Sequence, residues 1–222
     1  MAIASLLKTL GGRRSIENPA TSLADPANWL IDAAGGGRSA AGTSVTRATA
    51  LTHAAVWRAV NLVAGDIGTM PVHVMRREGA GKVRDTKHAA YRLLRYQACA
   101  EVSSGVLREV LQGHVLLEGN GYAYIYRDGA GRPMEIVPLA PHSITPVRYQ
   151  GELRYIYRAT GADAVKLLPE NVIHIKGYSE DGLVGYSVLA KAKESLGLGL
   201  GAREYGARFL SNNARPAMVL EH

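Results

Sequence analysis

Apolar residues recur with two different periods in this chain, and the switch falls at Gly119-Asn120-Gly121. A chain patterned this way must pack helices against a sheet. Upstream, Val56, Val60, Val63 and Ile67 lie at helical spacing with Trp57 and Ala64 beside them. Thr52 is the expected N-cap of that helix, and Gly68 followed by Pro71 its stop. Ser103 or Ser104 is expected to cap a second helix, on which Val106, Val110 and Leu117 share a stripe with Leu107 and Leu111. Downstream of Gly121 the period is two: Tyr122, Tyr124 and Tyr126 point to one side, Ala123 and Ile125 to the other. The class this predicts is α+β, with helices flanking a mostly antiparallel β-sheet.

The remaining punctuation divides the chain further. Residues 1–48 carry Asn18-Pro19, Asp25-Pro26 and Gly35-Gly36-Gly37 without sustained periodicity, and read as a flexible N-terminal arm. Asn28–Ala33 (NWLIDA) is its one apolar island, either a short helix or a docking segment. Residues 49–222 form the folded domain. A strand from Val72 turns at Glu78-Gly79-Ala80-Gly81 and returns through Lys82–Thr86; a short helix follows over His88–Tyr96 with Leu93 and Leu94 inward. Further strands are expected at Ile136–Leu139, Ile144–Arg148, Leu153–Arg158 and Val172–Lys176. A loop at Gly177–Gly185 then leads into a long helix over 187–212, and Ala217–Leu220 starts another strand.

Bulk properties exclude several classes. A chain of 222 residues buries roughly 70% of its unfolded surface, enough for its own core. The lone Cys99 rules out an intrachain disulfide framework and fits a reducing cytoplasm. No apolar run approaches the roughly 20 residues that span a bilayer, so no membrane partner is expected. The formal net charge of +7 is compatible with a polyanionic partner. The basic residues concentrate between Arg76 and Arg95, where Arg76, Arg77, Lys82, Arg84, Lys87, Arg92 and Arg95 face only Glu78 and Asp85. Arg76, Arg77, Lys82, Arg84 and Lys87 are the candidate contacts for DNA or an acidic protein; the competing reading is a solvated hairpin.

Catalytic and cofactor motifs fail on inspection. Gly79-Ala80-Gly81-Lys82 lacks the glycine and the Ser or Thr of a phosphate loop, those places being held by Arg76 and Val83. Gly197-Leu198-Gly199-Leu200-Gly201-Ala202 lies inside a helical stretch rather than a strand-to-helix turn; its glycines are expected to admit a neighbouring helix. None of the seven histidines forms a zinc spacing, and Ser187 lacks the glycine of a nucleophile elbow, which makes it a helix cap. No catalytic residue, cofactor or metal is expected.

Three segments in order, Leu51–Arg77, Glu118–Val147 and Leu168–Leu189, resemble the N-terminal half of portal proteins of HK97-type tailed bacteriophages. The likeness covers about residues 50–222 and includes Gly119-Asn120-Gly121-Tyr122; it departs where Val188 replaces the usual proline after the capping serine. It implies the wing of a portal subunit, a ring homo-oligomer (usually a homo-dodecamer) at the capsid vertex of the virion, assembled in the host cytoplasm. The partners implied are the major capsid protein, the terminase large subunit, a head-tail connector or adaptor, and non-specific double-stranded DNA during packaging and ejection. The stem, clip and crown of such a subunit are expected outside this chain. The alternative is a stand-alone basic DNA-binding or virion adaptor module.

Overall fold

The computed structural model describes residues 37–212 except 160 and 162. The proposed arm before residue 37 and the strand expected at Ala217–Leu220 lie outside the described residues. Ordered structure begins well before residue 49. Strands β1 (Gly37–Arg38) and β2 (Ser44–Val45) form a small hairpin, followed by helix α1 (Arg47–Leu51). The Thr46 hydroxyl accepts from Thr49 N, and the Thr49 hydroxyl accepts from Thr46 N at 2.8 Å. A reciprocal cap of this kind fixes the start of a short helix.

Helix α2 (Ala54–Thr69) follows at once, so Thr52 is the C-cap of α1 and His53 the N-cap of α2. The expectation of Thr52 as an N-cap fails because α1 already holds that segment: the Thr52 hydroxyl donates back to Thr49 O at 2.7 Å. Helix α2 crosses helix α4 (Ser104–Glu118) through small residues. A Cβ on Gly68 would sit 3.2 Å from Gly105 O, and Ala64 and Gly68 are its buried positions. The crossing rests on Ala64 and Gly68, and Val63 is left 40% and Trp57 56% exposed.

Between them β3 (Met75–Glu78) and β4 (Gly81–Arg84) form an exposed ribbon, and α3 (Tyr91–Arg95) returns the chain to α4. Ser103 caps α4, accepting from Val106 N at 3.3 Å. The buried stripe of α4 is Leu107, Leu111, His114 and Leu117. Val106, expected on that stripe, is 47% exposed, because the face turned to the sheet lies one residue further round the helix.

All strand pairs are antiparallel. One sheet runs β10 (Val172–Lys176), β5 (Asn120–Arg127), β6 (Pro133–Leu139). A second runs β7 (Ile144–Tyr149), β8 (Glu152–Tyr157), β9 (Val165–Leu167), the last of which the sequence pattern did not indicate. The expected α+β class, with helices against antiparallel sheet, holds; among the described residues the strands divide into two three-stranded sheets and two hairpins. Strand β5 sits in the middle of three layers. Ala123 joins Leu93, Leu107, Leu111 and Ile136 on the helical side, while Tyr122 joins Ile144, Tyr155 and Val172 on the other. Burying each large aliphatic side chain of these clusters contributes about 1.5–3 kcal/mol.

At the C-terminal side, Ser187 caps α5 (Val188–Lys191), accepting from Ala190 N at 3.2 Å, and α6 (Lys193–Ser211) continues after Ala192. The glycines of α6 do admit close approach, but of the β1–β2 hairpin rather than a helix. A Cβ on Gly197 would overlap the Ser39 side chain, and one on Gly201 would meet Thr43 Oγ1 at 3.2 Å.

Candidate functional site

The ribbon β3–β4 carries four of the five candidate basic residues, and its register sorts them. Arg77 stands opposite Lys82 and Met75 opposite Arg84, so Arg77, Lys82 and Arg84 share one face. Arg76 pairs with Val83 on the other face and lies 3.7 Å from Glu78, an exposed pair of little energetic weight. Lys87 follows in a turn, where its backbone N–H donates to Asp85 Oδ1 at 3.1 Å. Among the described residues, Arg77, Lys82, Arg84 and Lys87 have no ion-pair partner.

Like charges directly opposite on a strand pair destabilise it. Here Arg77 faces Lys82 with both strands exposed throughout. Positive charge continues at the base of the ribbon: after desolvation, Arg84 and Arg95 both hold the His73 imidazole below its ordinary pKa. Arg95 also lies over the Tyr96 ring at 5.9 Å. The face offers an exposed array of cations.

A second constellation, buried beneath the sheet, was only partly visible in sequence. Gly119 ends α4 in the left-handed region, with φ at 80°, and its carbonyl accepts from Gly177 N at 2.8 Å. The Asn120 side chain then clasps the loop after β10, its Oδ1 accepting from Gly185 N at 2.7 Å and its Nδ2 donating to Gly185 O at 2.8 Å. The same Oδ1 accepts from His174 Nε2 at 3.1 Å, and His174 Nδ1 accepts from the Tyr155 hydroxyl at 3.2 Å. Tyr122 stacks on the imidazole with ring centroids 4.3 Å apart. A neutral His174 protonated on Nε2 satisfies every bond in this knot. His174 is the half-buried, hydrogen-bonded histidine expected from its strand.

Burial lowers the His174 pKa to about 4, with Lys176 adding to the effect. Burial likewise lowers His114 to about 4, followed by Arg47 and His142. Both imidazoles stay neutral in the folded protein and titrate near 6.5 when unfolded. The unfolded chain therefore binds more protons between pH 6.5 and 4, and stability present above pH 6.5 is lost as pH falls through that window. Denaturant unfolding at pH 7 and pH 5 should show this loss, at most about 2 kcal/mol for one fully buried histidine. His114→Phe should lose less between the two values than the unsubstituted chain; an equal loss would remove His114 as a source.

A cleft of about 670 Å³ is lined by Tyr122, His142, Ile144, Ser187 and Leu189, together with Arg47 and Glu118, which form an ion pair at 2.9 Å. The Ser187 hydroxyl is committed to Ala190 N and to Leu117 O, the latter at 3.2 Å. Among the described residues no Ser or Cys side chain is hydrogen-bonded to a histidine, and no group of three or more His, Cys, Asp or Glu is placed to hold a metal ion. Among the described helices, none is long and apolar enough to cross a membrane. Arg108 went unremarked in the sequence and has a packing role, donating to Gly68 O at 2.9 Å, Leu94 O at 3.1 Å and Ser104 Oγ at 2.9 Å.

The family model for the phage portal protein matches residues 54–222, and the chain belongs to that family. Over 169 residues it is 27% identical to the portal protein of Enterobacteria phage HK97, covering 74% of this chain and 39% of that protein. Over 197 residues it is 28% identical to the probable portal protein of Streptomyces phage phiC31, covering 84% and 42%. Its structure is similar to a chain in the neck of an empty gene transfer agent particle computed with C6 symmetry (TM-score 0.64, 26% identity), covering 86% of this chain and 53% of that one. The fold also matches an HK97 family phage portal protein from Corynebacterium diphtheriae (TM-score 0.50, 21% identity), covering 80% and 53%. The chain spans about two fifths of the length of the curated relatives it matches.

Proposed function

We propose that this chain is the wing portion of a portal subunit, set in a ring at one vertex of the capsid through which DNA is packaged and ejected. The observation that carries the reading is the family match over residues 54–222 on the same fold as a neck component of a gene transfer agent particle. The ring is a homo-oligomer, a dodecamer in the whole protein, and its partners are the major capsid protein, the terminase large subunit, the head-tail connector and double-stranded DNA. The protein acts in the virion after assembly in the host cytoplasm and has no enzymatic activity of its own. Energy for translocation comes from the separate terminase.

In this reading the cationic face of the ribbon meets a polyanion without reading its sequence, since a conduit must let DNA slide. Arg77, Lys82 and Arg84 carry the contact, Lys87 adds to it, and Arg76 on the opposite face contributes least. Three engaged phosphates give a slope of log affinity against log salt of about −2.7. Fluorescence anisotropy with duplexes of unrelated sequence should show weak binding with that slope. Replacing Arg77, Lys82 and Arg84 by Ser should flatten it, while Arg76→Ser should leave most of it. Binding unchanged by the triple substitution would make the ribbon a solvated surface with no part in DNA contact.

A further inference from the structure

The described structure leaves one apolar groove open. Val56, Val60 and Val63 of α2 form one wall; Leu116 of α4, Val188 of α5 and Leu196 of α6 form the rest, around a volume of about 240 Å³. Val63 and Val188 are 40% and 51% exposed. Aliphatic surface of this extent on one side of a helix calls for a partner.

We propose that the Trp29-Leu30-Ile31 segment of this same chain occupies the groove. Its place in the sequence brings it there. The β1–β2 hairpin packs on the α6 turn that forms the groove wall: Ser39 lies against Gly197, next to Leu196, and Ala40 N donates to Glu194 Oε2 at 2.7 Å. The chain thus enters the described structure within one helical turn of the groove. Residues 32–36 separate Ile31 from Gly37, a tether that reaches at most ~20 Å when extended. Gly35-Gly36-Gly37 let it double back, because glycine takes either sign of φ. The chemistry matches, with one aromatic and two aliphatic side chains meeting valines and leucines. A tether this short gives an effective concentration of the order of millimolar, which places the segment ahead of a second copy at micromolar protein. The groove and the entry point stand independently of the portal reading.

The two tryptophans of the chain, Trp29 and Trp57, allow a direct test. In the full chain carrying Trp57→Phe, Trp29 is the only indole. Its emission should be blue-shifted from that of a solvated indole, poorly quenched by iodide, and constant on dilution from micromolar to nanomolar. Adding Val63→Lys or, separately, Val188→Lys should move the emission to the red and raise quenching several-fold, with the helical circular dichroism retained. Both positions are exposed enough to accept lysine without unfolding the core. Solvated emission in the Trp57→Phe chain would overturn the proposal. So would blue emission indifferent to both lysines, and blue emission lost on dilution would assign the groove to a second copy instead.

Discussion

Gly119→Ala should destabilise the protein by about 2–5 kcal/mol, the largest effect expected from a single added methyl group. Two costs combine. Gly119 has φ at 80°, where an L-residue pays about 1–2 kcal/mol. Its new Cβ would also overlap the Tyr186 carbonyl and lie 2.7 Å from Gly185 O, both backbone atoms that cannot rotate away. Overpacking of this kind costs about 1–3 kcal/mol. The loop after β10 would have to lift off the end of α4, breaking the Gly177 N to Gly119 O bond. Gly113, six residues earlier in the same helix, has nothing within 4 Å of an added Cβ. Gly113→Ala should therefore stabilise by up to about 1 kcal/mol through helix propensity alone. Urea unfolding of the pair should show opposite signs; two losses of equal size would mean that the Gly119 turn is not specially constrained.

Asn120→Leu should cost about 3–4 kcal/mol. The side chain is 7% exposed and makes two bonds to the Gly185 peptide and one to His174. Leucine fills similar space but leaves the Gly185 N–H, the Gly185 carbonyl and His174 Nε2 without this partner. Each orphaned buried group costs about 1–3 kcal/mol, less whatever water recovers. Urea unfolding checks the clasp against a simple packing role, for which Asn120→Leu would cost less than about 1 kcal/mol.

These two residues mark how far the sequence could be read. Gly-Asn-Gly was legible as the corner between a helix and a strand, because a left-handed C-cap selects glycine and the period changes there. The role of Asn120 was not legible, since its partner Gly185 lies 65 residues on and contact at that range leaves no local pattern. The alternation of Tyr122, Ala123 and Tyr124 was readable because β5 has a different packing layer on each side. On α4 the expected stripe holds at Leu107, Leu111 and Leu117 and omits His114, a buried polar residue that apolar periodicity passes over. In the basic segment, composition gathered Arg76 and Arg77 together, and parity along the strand separates them. The start of the folded domain was placed too late because Thr46 and Thr49 cap α1 without the acidic residue that usually marks a capping box.

The central claim is that this protein sits in the portal ring at one vertex of a capsid. Immunogold electron microscopy of particles released by the producing cell, with antibody raised against residues 37–212, tests it directly. Partly disrupted particles expose the vertex, and gold should then mark a single vertex per particle, at the tail attachment point. Gold spread over the shell, or found only on soluble protein and never on particles, would contradict the account.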